Sequence, residues 1–307
     1  MTIGTIILLG CIGWIICLHP SLNKLFINFT ALAIALEVMI SVGAFLNFGS
    51  FDIGFSELVI FLDIVIALLL LTKSRIKRKV MLYGILLLVA ACFSFALQII
   101  YPYKGIVVPD SASWDLYYFG GVIPGNIVIG INQIKEIIHL ICYIFIFQQV
   151  KCLKEDDQLD ILHKTFVYQV PFIYFSLFEI VFVKILRKET LVNSIIKFMV
   201  GNQYLNEAGV TSLGVTNRLK GLKSEPSMYG FALFIFILLC ISLYNELGRK
   251  KYLYYGAFAF VVMLLSLSFT AIVCAFILIA FAVLKYFLNL DKKKKCDFIV
   301  LDRKSVV

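Results

Sequence analysis

Apolar runs of about 20 residues, the length a helix needs to cross a bilayer, recur along this chain and leave few folds open to it. Hydrophobic residues make up 61% of its 307 positions and charged residues only 15%. Mean hydropathy is +0.96, whereas soluble domains carry roughly 25% charged and about 45–50% apolar residues. The runs are continuous rather than alternating, which excludes a transmembrane β-barrel. The reading is an all-α, polytopic membrane helix bundle forming a single transmembrane domain over residues 1–301. The first run lacks a basic n-region and a small-residue cleavage site, so it reads as a retained span rather than a signal peptide.

The spans are expected at residues 2–18, 25–46, 53–72, 80–101, 134–150, 165–186, 226–247, 252–267 and 270–288, about nine in all. Ser266, Ser268 and Thr270 mark where the chain turns back between the last two. Lys73 to Lys79, Arg249 to Lys251 and Lys292 to Lys295 then fall on one side, together with Lys24 and the segment after Lys151. The positive-inside rule makes that side cytoplasmic and the N-terminus external. The net charge of +9 is thus a matter of topology and not a nucleic-acid signal. The eight cysteines are scattered through apolar runs with no Cys-x-x-Cys pair, so neither zinc nor a disulfide framework is indicated.

Two external segments, 102–133 and 187–225, follow from this topology. The second breaks the charge rule with Arg187, Lys188, Lys197, Arg218, Lys220 and Lys223 against Glu189, Glu207 and Glu225. Cations kept on the unfavoured side call for an anionic partner at the outer leaflet, and lipid headgroups alone would also serve. Within residues 190–205, Val192, Ile195, Ile196 and Met199 share one helical face, as in a helix lying in the interface.

The densest group of cations precedes Pro226. A proline is tolerated in a first helical turn, and Ser224 upstream is a good N-cap. The helix from Pro226 should therefore present free backbone N–H groups outward, a ready anion site. Arg218 offers a two-pronged grip on phosphate, while Lys220 and Lys223 act as mobile point charges.

The segment Arg218-Leu-Lys-Gly-Leu-Lys-Ser-Glu-Pro-Ser, running straight into a membrane helix, resembles the Arg-x-x-(Gly/Ser)-x-x-x-Glu-Pro-Ser pattern of Wzy-type O-antigen and capsule repeat-unit polymerases. The likeness covers roughly residues 218–288, including a Ser/Thr-rich junction at Ser266 to Thr270, where Phe269 or Thr270 stands in place of the family's frequent arginine. The resemblance implies a GT-C-like fold and a metal-independent, cofactor-free glycosyltransferase in the bacterial inner membrane. Its partners would be undecaprenyl-pyrophosphate-linked glycans, membrane lipids and other assembly proteins such as a chain-length regulator. Arg218 would be the principal pyrophosphate ligand. Glu225 would either deprotonate the acceptor hydroxyl or position the cations. Lys220, Lys223, Ser227 and Tyr229 complete the implied substrate-binding set. A ligase of the same superfamily, a transporter of lipid-linked sugar and a non-catalytic scaffold are the competing readings.

Other polar residues read more plainly. Glu37 and Asp63 fall near the middles of the second and third spans, where a carboxylate faces the bundle interior and serves in helix packing. Lys135, Glu136 and His139 share a face near the outer end of the fifth span and read as a local ion pair with a polar histidine beside it, the alternative being that they line the same outward cavity. Trp114, Tyr117, Tyr118 and Phe119 read as interfacial anchors. The terminal Asp302 to Val307 matches the translation of a common sequencing adapter, so residues 302–307 are expected to be a non-native tail on a truncated chain.

Overall fold

The computed structural model describes residues 3–19, 21–40, 44–47, 52–71, 77–100, 131–200, 219, 221–223 and 226–284. Arg218, Lys220, Ser224, Glu225, the aromatic residues 114–119, the terminal tail and the side chain of Glu136 lie outside them. Among the described residues the fold is a bundle of ten helices. They are α1 (Ile3–Leu18), α2 (Leu22–Met39), α3 (Phe55–Leu71), α4 (Arg78–Ile100), α5 (Ile131–Val150), α6 (Glu155–Glu179), α7 (Glu189–Val200), α8 (Pro226–Leu247), α9 (Lys251–Leu265) and α10 (Phe269–Leu284). Among the described residues four segments are long and apolar enough to cross a membrane, namely Leu22–Met39, Arg78–Leu97, Glu155–Ile185 and Pro226–Leu247.

The chain departs from the expected spans at α2 and α6. Helix α2 stops at Met39, because Ile40 turns extended. The apolar residues beyond it form strand β1 (Ala44–Asn47), paired antiparallel with β2 (Asp52–Gly54). Glu37 therefore stands at the end of α2 rather than mid-span. Helix α6 begins well ahead of its apolar run, with Glu155, Asp156 and Asp157 in its first turn. Negative charge is favourable at that end of a helix. Helix α6 runs into a π-helical turn at Ile180–Ile185, where Leu186 N–H reaches back to Val181 O at 2.9 Å.

Aromatic packing joins three helices of the core. The Phe166 ring of α6 stacks on Phe236 of α8, with centroids 5.7 Å apart, and meets Tyr252 and Tyr255 of α9 edge-on at 5.0 and 5.3 Å. Asp63 of α3 is fully buried, and its Oδ2 accepts the Thr30 hydroxyl of α2 at 2.8 Å. That contact is the helix-packing role expected for it. The apolar face of α7 is buried at Val192 and Ile196, against the bundle, with Gly4 of α1 in close approach to Met199 O.

Helix ends are set by local chemistry. Gly248, in the left-handed region at φ 65°, closes α8 and allows the sharp turn to α9. At the expected turn-back, Ser266 Oγ donates to Met263 O at 2.7 Å, and Ser268 Oγ accepts the Ala271 N–H at 3.1 Å. Ser268 is thus the N-cap of α10. Where α8 meets α10, a Cβ on Gly230 would lie 2.8 Å from Ala271 Cβ and 3.1 Å from Ser268 Oγ. Small residues let membrane helices approach this closely. Gly230→Val is expected to destabilise the protein by about 1–3 kcal/mol through overpacking, read as a lower unfolding temperature in detergent, with Gly10→Val, which meets nothing within 4 Å, as the neutral control.

Candidate functional site

The loop ahead of α8 is folded down onto the bundle. Leu219 and Leu222 are buried in the core, and Leu222 forms a parallel bridge with Ile40. Between them Gly221 adopts φ 58°. A Cβ there would come within 2.5 Å of the Tyr229 ring, so both conformation and space restrict the position to glycine. The Gly221 N–H donates to Glu179 Oε2 at 2.9 Å. Glu179 is 1% exposed and ends α6, at the start of the π-helical turn. Such turns widen a helix locally and often mark functional sites.

Lys223, the last described residue of the loop, is 8% exposed, and its Nζ donates to the Glu37 carbonyl at 2.9 Å. It is a fixed charge, not the mobile one expected from the sequence. Burial pushes its ammonium down from 10.5 to about 8, with the Glu37 carboxylate opposing that shift.

Lys223 lines a cavity of about 660 Å³ together with Glu37, Ser56, Glu57, His139, Ser227 and Thr270. Met228 and Phe231 of α8 add apolar surface to it. Its walls come from the C-terminal end of α2 and from the N-terminal parts of α3, α5, α8 and α10. These are the helix ends that alternate crossing would place on one side. The basic groups at Lys77 to Lys79, Lys151 and Arg249 to Lys251 sit at the opposite helix ends.

Of the expected site residues, the fold brings Lys223 and Ser227 to the cavity. Tyr229 stands apart from it: it is 2% exposed, its hydroxyl is hydrogen-bonded to that of Ser176 on α6, and its ring lies against Gly221. It supports the loop from beneath and does not line the cavity. Lys135 Nζ lies 2.5 Å from Glu57 Oε1 of α3, an ion pair between helices that was not expected from the sequence. Glu57 and Glu179 were not singled out in the sequence. The signal for each was an ionisable residue inside an apolar run.

Among the described residues, no group of three or more His, Cys, Asp or Glu could hold a metal ion. Chemically, the Lys223 wall suits an anion, and the neighbouring carboxylates and imidazole suit hydroxyl groups. Comparison with protein-family models, curated proteins and solved structures returned no match.

Two outcomes follow from this geometry. Glu179→Ala leaves the Gly221 N–H buried without its acceptor, at a cost of about 1–3 kcal/mol. It is expected to make the peptide bond after Lys223 more susceptible to trypsin in native membranes than it is in the wild type. Lys223 carries its charge below pH about 8 and loses it as pH rises through that value. The affinity of the Lys223 wall for an anion, probed with inorganic pyrophosphate, should weaken over the same interval, and Lys223→Arg should remove this alkaline limb, since an arginine keeps its charge.

Proposed function

We propose that this chain polymerises lipid-linked oligosaccharide repeat units, moving a growing glycan from undecaprenyl pyrophosphate to the sugar of another lipid-linked unit. The observation that carries the reading is the placement of the Arg-x-x-Gly-x-x-x-Glu-Pro-Ser segment. Its described residues Lys223 and Ser227 line a cavity beside the first turn of α8. The departing pyrophosphate needs preorganised positive charge, the largest contribution in reactions of this type. Lys223 and the N–H groups of that first turn supply part of it. Arg218 and Lys220, a few residues away in the chain, are assigned the rest, and Glu225 the positioning of these cations.

The reading places the cavity at the outer face of a bacterial inner membrane, with about nine crossings and the N-terminus external. The asymmetry of basic residues supports that orientation. Phosphatase fused after Lys223 should be active and a fluorescent protein fused after Lys250 should glow. The reverse pattern would remove the reading.

The decisive test is elongation by the purified protein in liposomes containing the lipid-linked repeat unit alone. Long-chain product is expected from the wild type, and Arg218→Ala should lower the rate about 10²–10³-fold. Normal-length glycan from Arg218→Ala at normal membrane abundance would refute the pyrophosphate assignment. Passage of the lipid across the bilayer without elongation would support transport instead.

A further inference from the structure

The cavity has a second polar wall, contributed by α3 and α5, that the handling of pyrophosphate does not use. Glu57, in the first turn of α3, is held on several sides. Its Oε2 accepts the Gly54 N–H at 2.9 Å. Its Oε1 lies 2.5 Å from Lys135 Nζ and 3.9 Å from His139 Nε2. Lys135 and His139 stand one turn apart in the N-terminal half of α5, and His139 and Glu57 both line the cavity.

A carboxylate facing one nitrogen of an imidazole favours the tautomer with its proton on that nitrogen. The other nitrogen, Nδ1, is then left with its lone pair. The 3.9 Å separation is longer than a hydrogen bond, as catalytic contacts often are before substrate closes on them. Lys135 offsets the Glu57 charge, so the carboxylate orients the imidazole without having to take up the proton itself.

Resting on the transferase reading above, we propose that His139 is the base that accepts the proton of the acceptor-sugar hydroxyl, that Glu57 is its positioning residue, and that the α3–α5 wall is the acceptor subsite. In the step, the hydroxyl O–H bond breaks and its proton passes to the imidazole. The oxygen forms a bond to the anomeric carbon of the donor glycan. The bond from that carbon to the pyrophosphate oxygen breaks, and the electron pair leaves with the pyrophosphate towards the Lys223 wall. The imidazolium, facing Glu57, then returns its proton to water. Donor and acceptor thus meet one cavity from two walls, with the leaving anion and the departing proton met by different groups.

The test uses the full-length protein in liposomes with the undecaprenyl-pyrophosphate-linked repeat unit. His139→Ala should lower kcat about 10²–10⁴-fold, the range of general-base contributions, with little change in donor KM. Added imidazole should restore at least about tenfold of that loss, a rescue that a purely structural histidine would not give. Glu57→Gln should lower kcat less and should not respond to imidazole. His139→Gln, which keeps a polar group at the position, should be as slow as His139→Ala. Full activity in either His139 variant overturns the proposal, as does a loss that imidazole leaves untouched. A wild-type protein that does not elongate the lipid-linked unit removes the transferase reading itself, whereas an elongating wild type with a fully active His139→Ala removes only the base assignment.

Discussion

A hydrogen bond from the Gly221 amide to the buried Glu179 carboxylate anchors the described part of the loop ahead of α8 to the bundle, beside the contacts that Leu222 and Lys223 make with the end of α2. A carboxylate removed from water is costly unless its lone pairs are met, and the loop backbone meets one of them. The same contact sets the height of the loop above the Tyr229 ring and brings Leu222 level with Ile40. Lys223 can then reach the Glu37 carbonyl. The cationic wall is therefore built from α6 and α2 as much as from the loop that bears it.

The bundle supports this arrangement by close helix approach more than by polar bonding. Gly230 admits α10 beside α8, and Gly84 admits Ile144 of α5 beside α4. Among the described residues some buried polar groups pair between helices, as Thr30 with Asp63 and Tyr168 with Asn28, while Asp63 Oδ1, Gln148 Oε1 and the Gln169 amide have no hydrogen-bond partner. Charge concentrates at the helix ends. At the cavity end it is arranged into two walls, one led by Lys223 and one by Glu57 with Lys135 and His139.

How far the sequence disclosed this can be followed helix by helix. Helix α8 spans the residues expected of it, because Pro226 and Gly248 punctuate both ends. The turn at Ser266 and Ser268 was legible for a similar reason, since hydroxyl side chains cap helices. The second span was drawn too long, because a short apolar strand such as Ala44–Asn47 cannot be told from a helix end by hydropathy. Helix α6 was drawn too short, since hydropathy discards the charged turns in which Asp160 and Lys164 pair at 2.9 Å. At the site, the Lys223 motif was visible but its burial was not. The burial of Tyr229 is likewise not legible, because a motif carries no depth. Glu57 and Glu179 were passed over because their partners lie far off in sequence, and only the folded chain brings Lys135 and Gly221 to them.

The cavity draws its walls from α2 at one extreme of the chain and from Thr270 of α10 at the other. No early intermediate of synthesis can own it. As helices leave the ribosome and enter the bilayer in order, the chamber stays open on one flank until α10 arrives. A nascent chain stalled before that point lacks the Thr270 flank, so the vessel is complete only once the last described helix has joined the others.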